Sequence, residues 1–203
     1  MSGGKRPFSV MVKPVGSRCN MRCDYCYYAD KPAPGQPVMT EAALERCIAQ
    51  VIAASPGPVV SFTWHGGEPT LAGLDFYRRA AALERRYLPE GWRCWNNLQT
   101  NGLLLDDAWC DFLAQEGIDV GLSLDGDQLT HDAQRHDLAG AGTYDRAAAA
   151  ARRLMARGLA PDLLCCVTAR SAQRPLEVYQ ALRELGTGWV QFLPIVRPQG
   201  AGV

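Results

Sequence analysis

Apolar runs alternate with segments of helical periodicity along most of this chain. Six apolar runs are typical of strands, at 8–15, 59–64, 93–99, 119–124, 162–168 and 189–196. Between them, five segments space their apolar residues three and four positions apart, which is the period of an amphipathic helix. These segments are 40–54, 74–87, 106–115, 143–157 and 175–185, so the sequence predicts a (βα)5β order.

Residues at the ends of these segments support the helix assignments. Thr40, Asp106 and Thr143 stand where N-caps are expected, because their side-chain oxygens can accept a hydrogen bond from the first helical turn. Gly158 and Gly186 follow two of the helices, and glycine commonly ends a helix.

Strands that alternate with helices predict an α/β fold with a parallel sheet and crossover connections. The runs are nearly continuous in apolar residues, which indicates strands that are covered on both faces. Six units are too few for a closed eight-stranded barrel. The pattern therefore fits an open, curved barrel or a doubly wound sheet, and periodicity alone does not choose between them.

Polar and glycine-rich segments follow four of the predicted strands. They are the cysteine-containing loop 16–28 and the segments 65–69, 99–102 and 123–126. The carboxyl ends of parallel strands meet at one edge of the sheet, where α/β proteins build their active sites. The sequence therefore predicts a functional site at this edge.

Three cysteines lie close together, at Cys19, Cys23 and Cys26. Thiolates are the usual ligands of iron–sulfur clusters, which normally take four. Three ligands leave one iron open, and an open position is what a catalytic metal site needs. That iron is suited to the amino and carboxylate groups of S-adenosyl-L-methionine (SAM). A structural zinc site with His65 as fourth ligand is the alternative.

Composition narrows the class of protein. Lys and Arg together number 21, as do Asp and Glu, so the balance of charge does not indicate a nucleic acid or an anionic membrane as partner. No apolar run reaches membrane-spanning length, and no signal peptide is recognisable, so we expect a cytoplasmic protein. In a reducing compartment, clustered cysteines indicate metal or redox chemistry. The other five are expected to be small, buried side chains: Cys47, Cys94, Cys110, Cys165 and Cys166.

The string CNMRCDYC, with an aromatic residue before the third cysteine, resembles the signature of radical SAM enzymes. Together with WHGGEP, LQTNG, SLDG and WVQFLP, it resembles the anaerobic sulfatase-maturating enzymes over about 10–196, although related peptide-modifying enzymes share WHGGEP and SLDG. The resemblance implies a partial (β/α)6 TIM-like barrel and a 4Fe-4S cluster on the three cysteines. It also implies reductive cleavage of SAM to a 5′-deoxyadenosyl radical, which oxidises a cysteine or serine of a sulfatase polypeptide to formylglycine. A reduced flavodoxin or ferredoxin-type protein is the expected electron donor.

The resemblance also implies roles for single residues. The positions expected to contact SAM are Tyr25, Gly66, Gly67, Glu68, Ser123, Arg135 and Val196, and His65 is expected to bind substrate. Tyr25 is placed beside the adenine, the two glycines let the backbone approach SAM, and Glu68 lies near the methionine ammonium. Ser123 is placed near the ribose or carboxylate, Arg135 near the carboxylate, and Val196 or Leu193 against the adenine. The plainer alternatives are a packing aromatic for Tyr25, a surface arginine for Arg135 and a loop histidine for His65.

The resembling enzymes continue past the sixth strand into a SPASM-type domain with two auxiliary clusters and a general-base aspartate. We expect this domain and this aspartate to lie outside the present chain, so no catalytic residue is assigned within it. The chain is then either a fragment or a minimal protein that works with a partner. Two other functions remain open, namely modification of another ribosomal peptide and a non-catalytic iron–sulfur or zinc binding module.

Overall fold

The computed structural model describes residues 6–28 and 37–196. Its strands are β1 Ser9–Val12, β2 Met21–Cys23, β3 Val59–Trp64, β4 Arg93–Thr100, β5 Asp119–Ser123, β6 Arg135–Asp137, β7 Asp162–Val167 and β8 Val190–Pro194. Its α-helices are α1 Glu41–Ala54, α2 Leu74–Tyr87, α3 Asp107–Glu116, α4 Gln128–Asp132, α5 Tyr144–Met155 and α6 Pro175–Glu184. Short 3-10 helices span Pro69–Ala72 and Ser171–Gln173. No helix in these two ranges has the length and apolarity needed to cross a membrane.

The main sheet follows the order of the chain. Its strands lie in the order β1-β3-β4-β5-β7-β8, and every neighbouring pair is parallel. The six predicted strands and five predicted helices are all present, with ends that differ from the prediction by a few residues. The first and last strands differ most, because β1 stops at Val12 and β8 stops at Pro194.

The helices cover one face of this sheet. On β3, Val60, Phe62 and Trp64 are nearly inaccessible to solvent, whereas the alternate residues Ser61 and Thr63 are only partly buried. The buried set packs with apolar residues of α1, α2 and α3, such as Leu44, Ile48, Tyr77, Ala80, Phe112 and Leu113. A second core joins β5 and β7 to α5 and α6 through Leu122, Leu163, Cys165, Ala151 and Leu182.

The expectation of strands covered on both faces is therefore wrong. On the face opposite the helices, the exposed Trp95 is the large apolar residue of β4 and β5, and the others there are polar or small, including Asn97, Gln99, Gly121 and Ser123. A doubly wound sheet would place helices on this face and require apolar residues there. The one-sided core, together with the sequential strand order, selects the open barrel.

Two of the three predicted N-caps make the expected bonds. Thr40 Oγ1 accepts from Ala43 N over 3.3 Å, and Asp106 Oδ1 accepts from Trp109 N over 2.9 Å. Thr143 occupies the N-cap position of α5, but its side chain makes no capping bond. Asp132 Oδ1 accepts from the backbone nitrogens of Thr143 and Tyr144 instead, over 2.7 and 2.8 Å. The predicted N-cap position of Thr143 is therefore confirmed, but the capping bonds come from Asp132 rather than from its own side chain.

A second, two-stranded antiparallel sheet pairs β2 with β6. Its register joins Met21 to Asp137 and Cys23 to Arg135. Three-residue strands are too short to show a period in the sequence, so the sequence analysis did not predict them. The sheet holds the cysteine loop against the segment that follows α4.

Candidate cofactor site at the carboxyl edge of the sheet

Backbone hydrogen bonds join the loops after β1 and β3. His65 N donates to Val12 O over 2.9 Å, and Gly67 N donates to Gly16 O over 2.9 Å. Glu68 N donates to Arg18 O over 2.8 Å. The GGEP segment therefore supports the beginning of the cysteine loop directly.

Gly66 and Gly67 make this contact possible because they lack side chains. A Cβ on Gly67 would lie 2.2 Å from Arg18 O, and a Cβ on Gly66 would lie 2.5 Å from Gly16 O. Both distances are too short for real atoms, so only glycine allows the two loops to pack this closely. The predicted role of these glycines in approaching SAM stays a prediction.

Glu68 is fully buried beneath the loops. Its Oε1 accepts from Thr70 N over 3.0 Å, from Thr70 Oγ1 over 2.6 Å and from Thr100 Oγ1 over 2.8 Å. Its Oε2 accepts from Asn101 N over 2.8 Å. These bonds tie the loop after β3 to the end of β4. The expected contact of Glu68 with the methionine ammonium stays a prediction.

The three clustered cysteines are free and partly buried. Cys19 Sγ accepts from Met21 N over 3.4 Å, and Cys26 Sγ accepts from Tyr28 N over 3.4 Å. The pKa of Cys19 is raised to about 11, chiefly by burial; the bond from Met21 N lowers it, and the charges of Glu68, Cys23 and Cys26 contribute to the rise. Backbone N–H groups directed at sulfur are typical of iron–sulfur sites, where they tune the potential of the cluster.

Asn101 extends from the end of β4 to the same loop. Its Nδ2 donates to Asn20 Oδ1 over 2.8 Å and lies 3.8 Å from Cys19 Sγ. The edge predicted from the sequence thus brings the LQTNG segment against the cysteines.

Tyr25, Asp125 and Arg135 form a buried hydrogen-bonded row. The Tyr25 hydroxyl donates to Asp125 Oδ2, and Arg135 Nη1 donates to the Tyr25 hydroxyl oxygen over 2.6 Å. Arg135 Nη1 also lies 3.9 Å from Asp125 Oδ2. Asp125 is 0% and Arg135 is 5% exposed, so the surface-arginine alternative is wrong. Burial acts to lower the pKa of Arg135, but the neighbouring Tyr25, Cys23 and Asp125 raise the pKa by more. The net shift is upward, so the guanidinium is charged.

Asp125 is the site residue that the sequence analysis missed. It lies within the predicted 123–126 loop, two residues after Ser123. An aspartate beside a glycine after a strand is an ordinary turn residue, and only its fully buried position in the fold distinguishes it.

The other predicted residues lie at or beyond the same edge. Ser123 Oγ accepts from Gln99 Nε2 over 3.3 Å on the face opposite the helices. His65 is partly buried, and its Nδ1 lies 2.6 Å from Gly66 N. Val196 lies past the end of β8 and is 86% exposed, whereas Leu193 within β8 is partly buried.

The scattered cysteines divide into two groups. Cys110 and Cys165 are fully buried in the cores, as expected. Cys47, Cys94 and Cys166 are only partly buried. Burial, together with the charge of Asp125, raises the pKa of Cys166 to about 11. Cys166 faces away from the helices, which explains its exposure.

One feature of this edge suits the SAM that the sequence predicts. Arg135 Nε is buried and has no hydrogen-bond partner within the described chain, and a buried donor normally has one. A carboxylate from a ligand would satisfy it. Within residues 6–28 and 37–196, no group of three or more His, Cys, Asp or Glu side chains, the three clustered cysteines included, is arranged to hold a metal ion.

The chain was compared with known protein families, with curated proteins and with solved structures. The model of the radical SAM superfamily matches residues 14–170, which include the cysteine loop, Asp125 and Arg135. The chain belongs to the radical SAM superfamily. Its partial-barrel fold is confirmed, as are the cofactors that characterise the superfamily, a 4Fe-4S cluster and SAM.

Within this superfamily, the chain is similar to anaerobic sulfatase-maturating enzymes. It is 40% identical to the serine-type enzyme of Klebsiella aerogenes over 94% of this chain and 47% of the relative. It is 33% identical to the cysteine-type enzyme of Clostridium perfringens over 95% of this chain and 53% of the relative. A structure of anSMEcpe with bound AdoMet and the Cp18Cys peptide matches with a TM-score of 0.89 and 33% identity, over 95% of this chain and 52% of that one. The chain thus spans about half the length of these relatives.

Proposed function

We propose that this chain carries the SAM-cleaving half of an anaerobic sulfatase-maturating enzyme, which oxidises a cysteine or serine of a sulfatase to formylglycine. The observation that carries the proposal is the extent of the similarity. The chain is 33–40% identical to maturases of both types over 94–95% of its length. The row formed by Tyr25, Asp125 and Arg135 and the loops that hold the cysteines supply a site that suits this chemistry.

The chain's own residues hold and orient the cofactors in this proposal. Cys19, Cys23 and Cys26 would ligate the cluster, and Arg135 would bind the carboxylate of SAM through Nε. When bound, the cofactors supply an electron and a 5′-deoxyadenosyl radical that removes a hydrogen atom from Cβ of the target residue. Oxidation of that carbon to an aldehyde also removes one electron and one proton, and for a cysteine water then replaces the sulfur, which leaves as sulfide, so the reaction needs an electron acceptor and a proton acceptor. We assign neither acceptor within this chain and propose that both belong to the other half of the enzyme, the auxiliary-cluster domain accepting the electron.

The radical SAM assignment is tested by anaerobic reconstitution of the chain with iron and sulfide, followed by dithionite and SAM. About four irons per chain and release of 5′-deoxyadenosine are expected. Cys23→Ala should abolish both, whereas the matched variant Cys47→Ala should change neither, because Cys47 lies on α1 behind the sheet. Bound zinc without SAM cleavage would leave only the metal-module alternative.

The substrate is tested separately with peptides that carry a sulfatase target cysteine or serine. Mass spectrometry should detect the aldehyde on one of the two peptides when the chain is combined with the remaining half of a relative. SAM cleavage without aldehyde on either peptide would favour modification of another ribosomal peptide. Replacing dithionite by reduced flavodoxin or ferredoxin tests the expected electron donor.

A further inference from the structure

Asp125 lies where four segments of the chain meet. Its Oδ1 accepts from Cys166 N of β7 over 2.8 Å. Its Oδ2 accepts from the Tyr25 hydroxyl of the cysteine loop and from Gln134 Nε2 over 3.2 Å. Its own backbone nitrogen donates to His131 Nδ1 over 3.2 Å. The carboxylate therefore connects the end of β5 to the cysteine loop, to β7 and to the segment that carries Arg135.

A carboxylate in this position needs a reason, because it is 0% exposed. Removing a charge from water costs several kcal/mol unless hydrogen bonds and an opposite charge compensate for it. Neutral donors satisfy three of its interactions, and the guanidinium of Arg135 supplies the opposite charge at 3.9 Å. A residue that only closed a turn would need neither full burial nor this charge.

The order of donors along the row fixes the direction of each bond. Arg135 Nη1 donates to the Tyr25 oxygen, so the tyrosine proton is free to point at Asp125 Oδ2. The Tyr25 hydroxyl thus accepts from one charged group and donates to the other, and each bond strengthens its neighbour. In this arrangement Nη1 is occupied, while Nε stays buried without a partner within the described chain.

We propose that Asp125 is a positioning residue for SAM: through the Tyr25 hydroxyl and its own charge it holds the Arg135 guanidinium so that Nε faces the SAM carboxylate. This inference rests on the proposed function only in placing SAM at this edge of the sheet. It requires nothing of the sulfatase substrate. The ligand class is an amino-acid carboxylate, which matches the planar donor edge of an arginine.

The test compares SAM affinity with stability in the cluster-loaded chain. Asp125→Asn keeps the shape of the side chain and removes its charge. We expect the SAM dissociation constant, measured by equilibrium dialysis, to rise about tenfold, because a bond to a charged group is lost. Iron content and the unfolding temperature without SAM should change little. Asp119→Asn, at the other end of β5, is the matched control and should leave SAM binding unchanged.

A second variant separates positioning from general support of the fold. Tyr25→Phe removes the hydroxyl that joins Asp125 to Arg135, so it should weaken SAM binding to a similar degree. The double variant should be no weaker than either single one, because both break the same row. Additive losses would overturn the proposed route through Tyr25.

The outcomes also separate this inference from the proposed function. Unchanged SAM affinity in Asp125→Asn, or a loss explained by lower iron content and unfolding temperature, would overturn the inference and leave the maturase proposal intact. A wild-type chain that cleaves SAM but never yields the aldehyde, even when it is combined with the remaining half of a relative, would overturn the sulfatase substrate. In that case a weakened Asp125→Asn variant would still support the positioning role.

Discussion

Cys23 and Arg135 are register partners across the β2–β6 sheet, although they lie far apart in the sequence. A predicted cluster ligand and the predicted SAM-binding arginine thus share one short piece of secondary structure. The position of the cysteine loop therefore depends on the segment after α4, and the position of Arg135 depends on the cysteine loop.

This dependence predicts that the cluster is lost when the contact between the two segments is broken. Asp24 N donates to Gln134 O over 3.0 Å, just beyond the paired residues. Asp24→Pro removes that donor at a cost of about 1 kcal/mol and should release iron during desalting, while far-UV circular dichroism stays close to wild type. Asp24→Ala keeps the backbone donor and serves as the control. Equal iron retention in both variants would contradict the prediction.

The close approach of the loops after β1 and β3 predicts that Gly67→Ala is strongly destabilising. The added Cβ would meet Arg18 O at 2.2 Å and Ser17 O at 2.5 Å, so the cysteine loop must shift. Overpacking of this kind costs roughly 1–3 kcal/mol, measurable by urea denaturation. Gly188→Ala is the control, because its Cβ would meet nothing within 4 Å. A variant as stable as this control would show that the loops need not pack closely.

The raised pKa of Glu84 predicts that the free energy of unfolding falls as the pH rises. Burial raises its pKa from 4.5 to about 7, against hydrogen bonds that lower it, including one from Asn96 Nδ2 over 2.8 Å. Between these two values the folded chain keeps a proton that the unfolded chain has released, so stability decreases with pH by roughly 3 kcal/mol in total. Glu84→Gln should remove this fall in the free energy of unfolding, and exposed Glu90→Gln should retain it.

The lowered pKa of His131 predicts that the free energy of unfolding also falls when the pH decreases below 6.5. Burial lowers its pKa from 6.5 to about 2, helped by the charges of Arg135 and His136. Below pH 6.5, the unfolded chain binds a proton on His131 and the folded chain does not. The free energy of unfolding that depends on neutral His131 is therefore lost as the pH falls. The slope is at most about 1.4 kcal/mol per pH unit. His131→Asn should flatten the dependence of the free energy of unfolding on pH between pH 3 and 6, measured by urea denaturation. His136 is only partly buried, so His136→Asn is the control and should leave this dependence unchanged.

Local rules account for the parts of the fold that the sequence analysis predicted correctly. The apolar period, together with Thr40 and Asp106 as caps, located α1 and α3 within a residue of their observed ends. Thr143 stands at the predicted N-cap position of α5, but Asp132 supplies the capping bonds from another segment. A cap supplied from outside the helix leaves no local signal.

The candidate site shows the same division. The spacing of Cys19, Cys23 and Cys26 and the polar segments after successive strands were sufficient to predict an iron–sulfur site at the carboxyl edge of the sheet. The burial of Arg135, the bond from Tyr25 to Asp125 and the one-sided core depended on the tertiary structure. Hydrophobic period and ligand spacing are properties of neighbouring residues. The partner of a buried charge is set by which distant loops meet at the sheet edge, and only the folded chain brings them together.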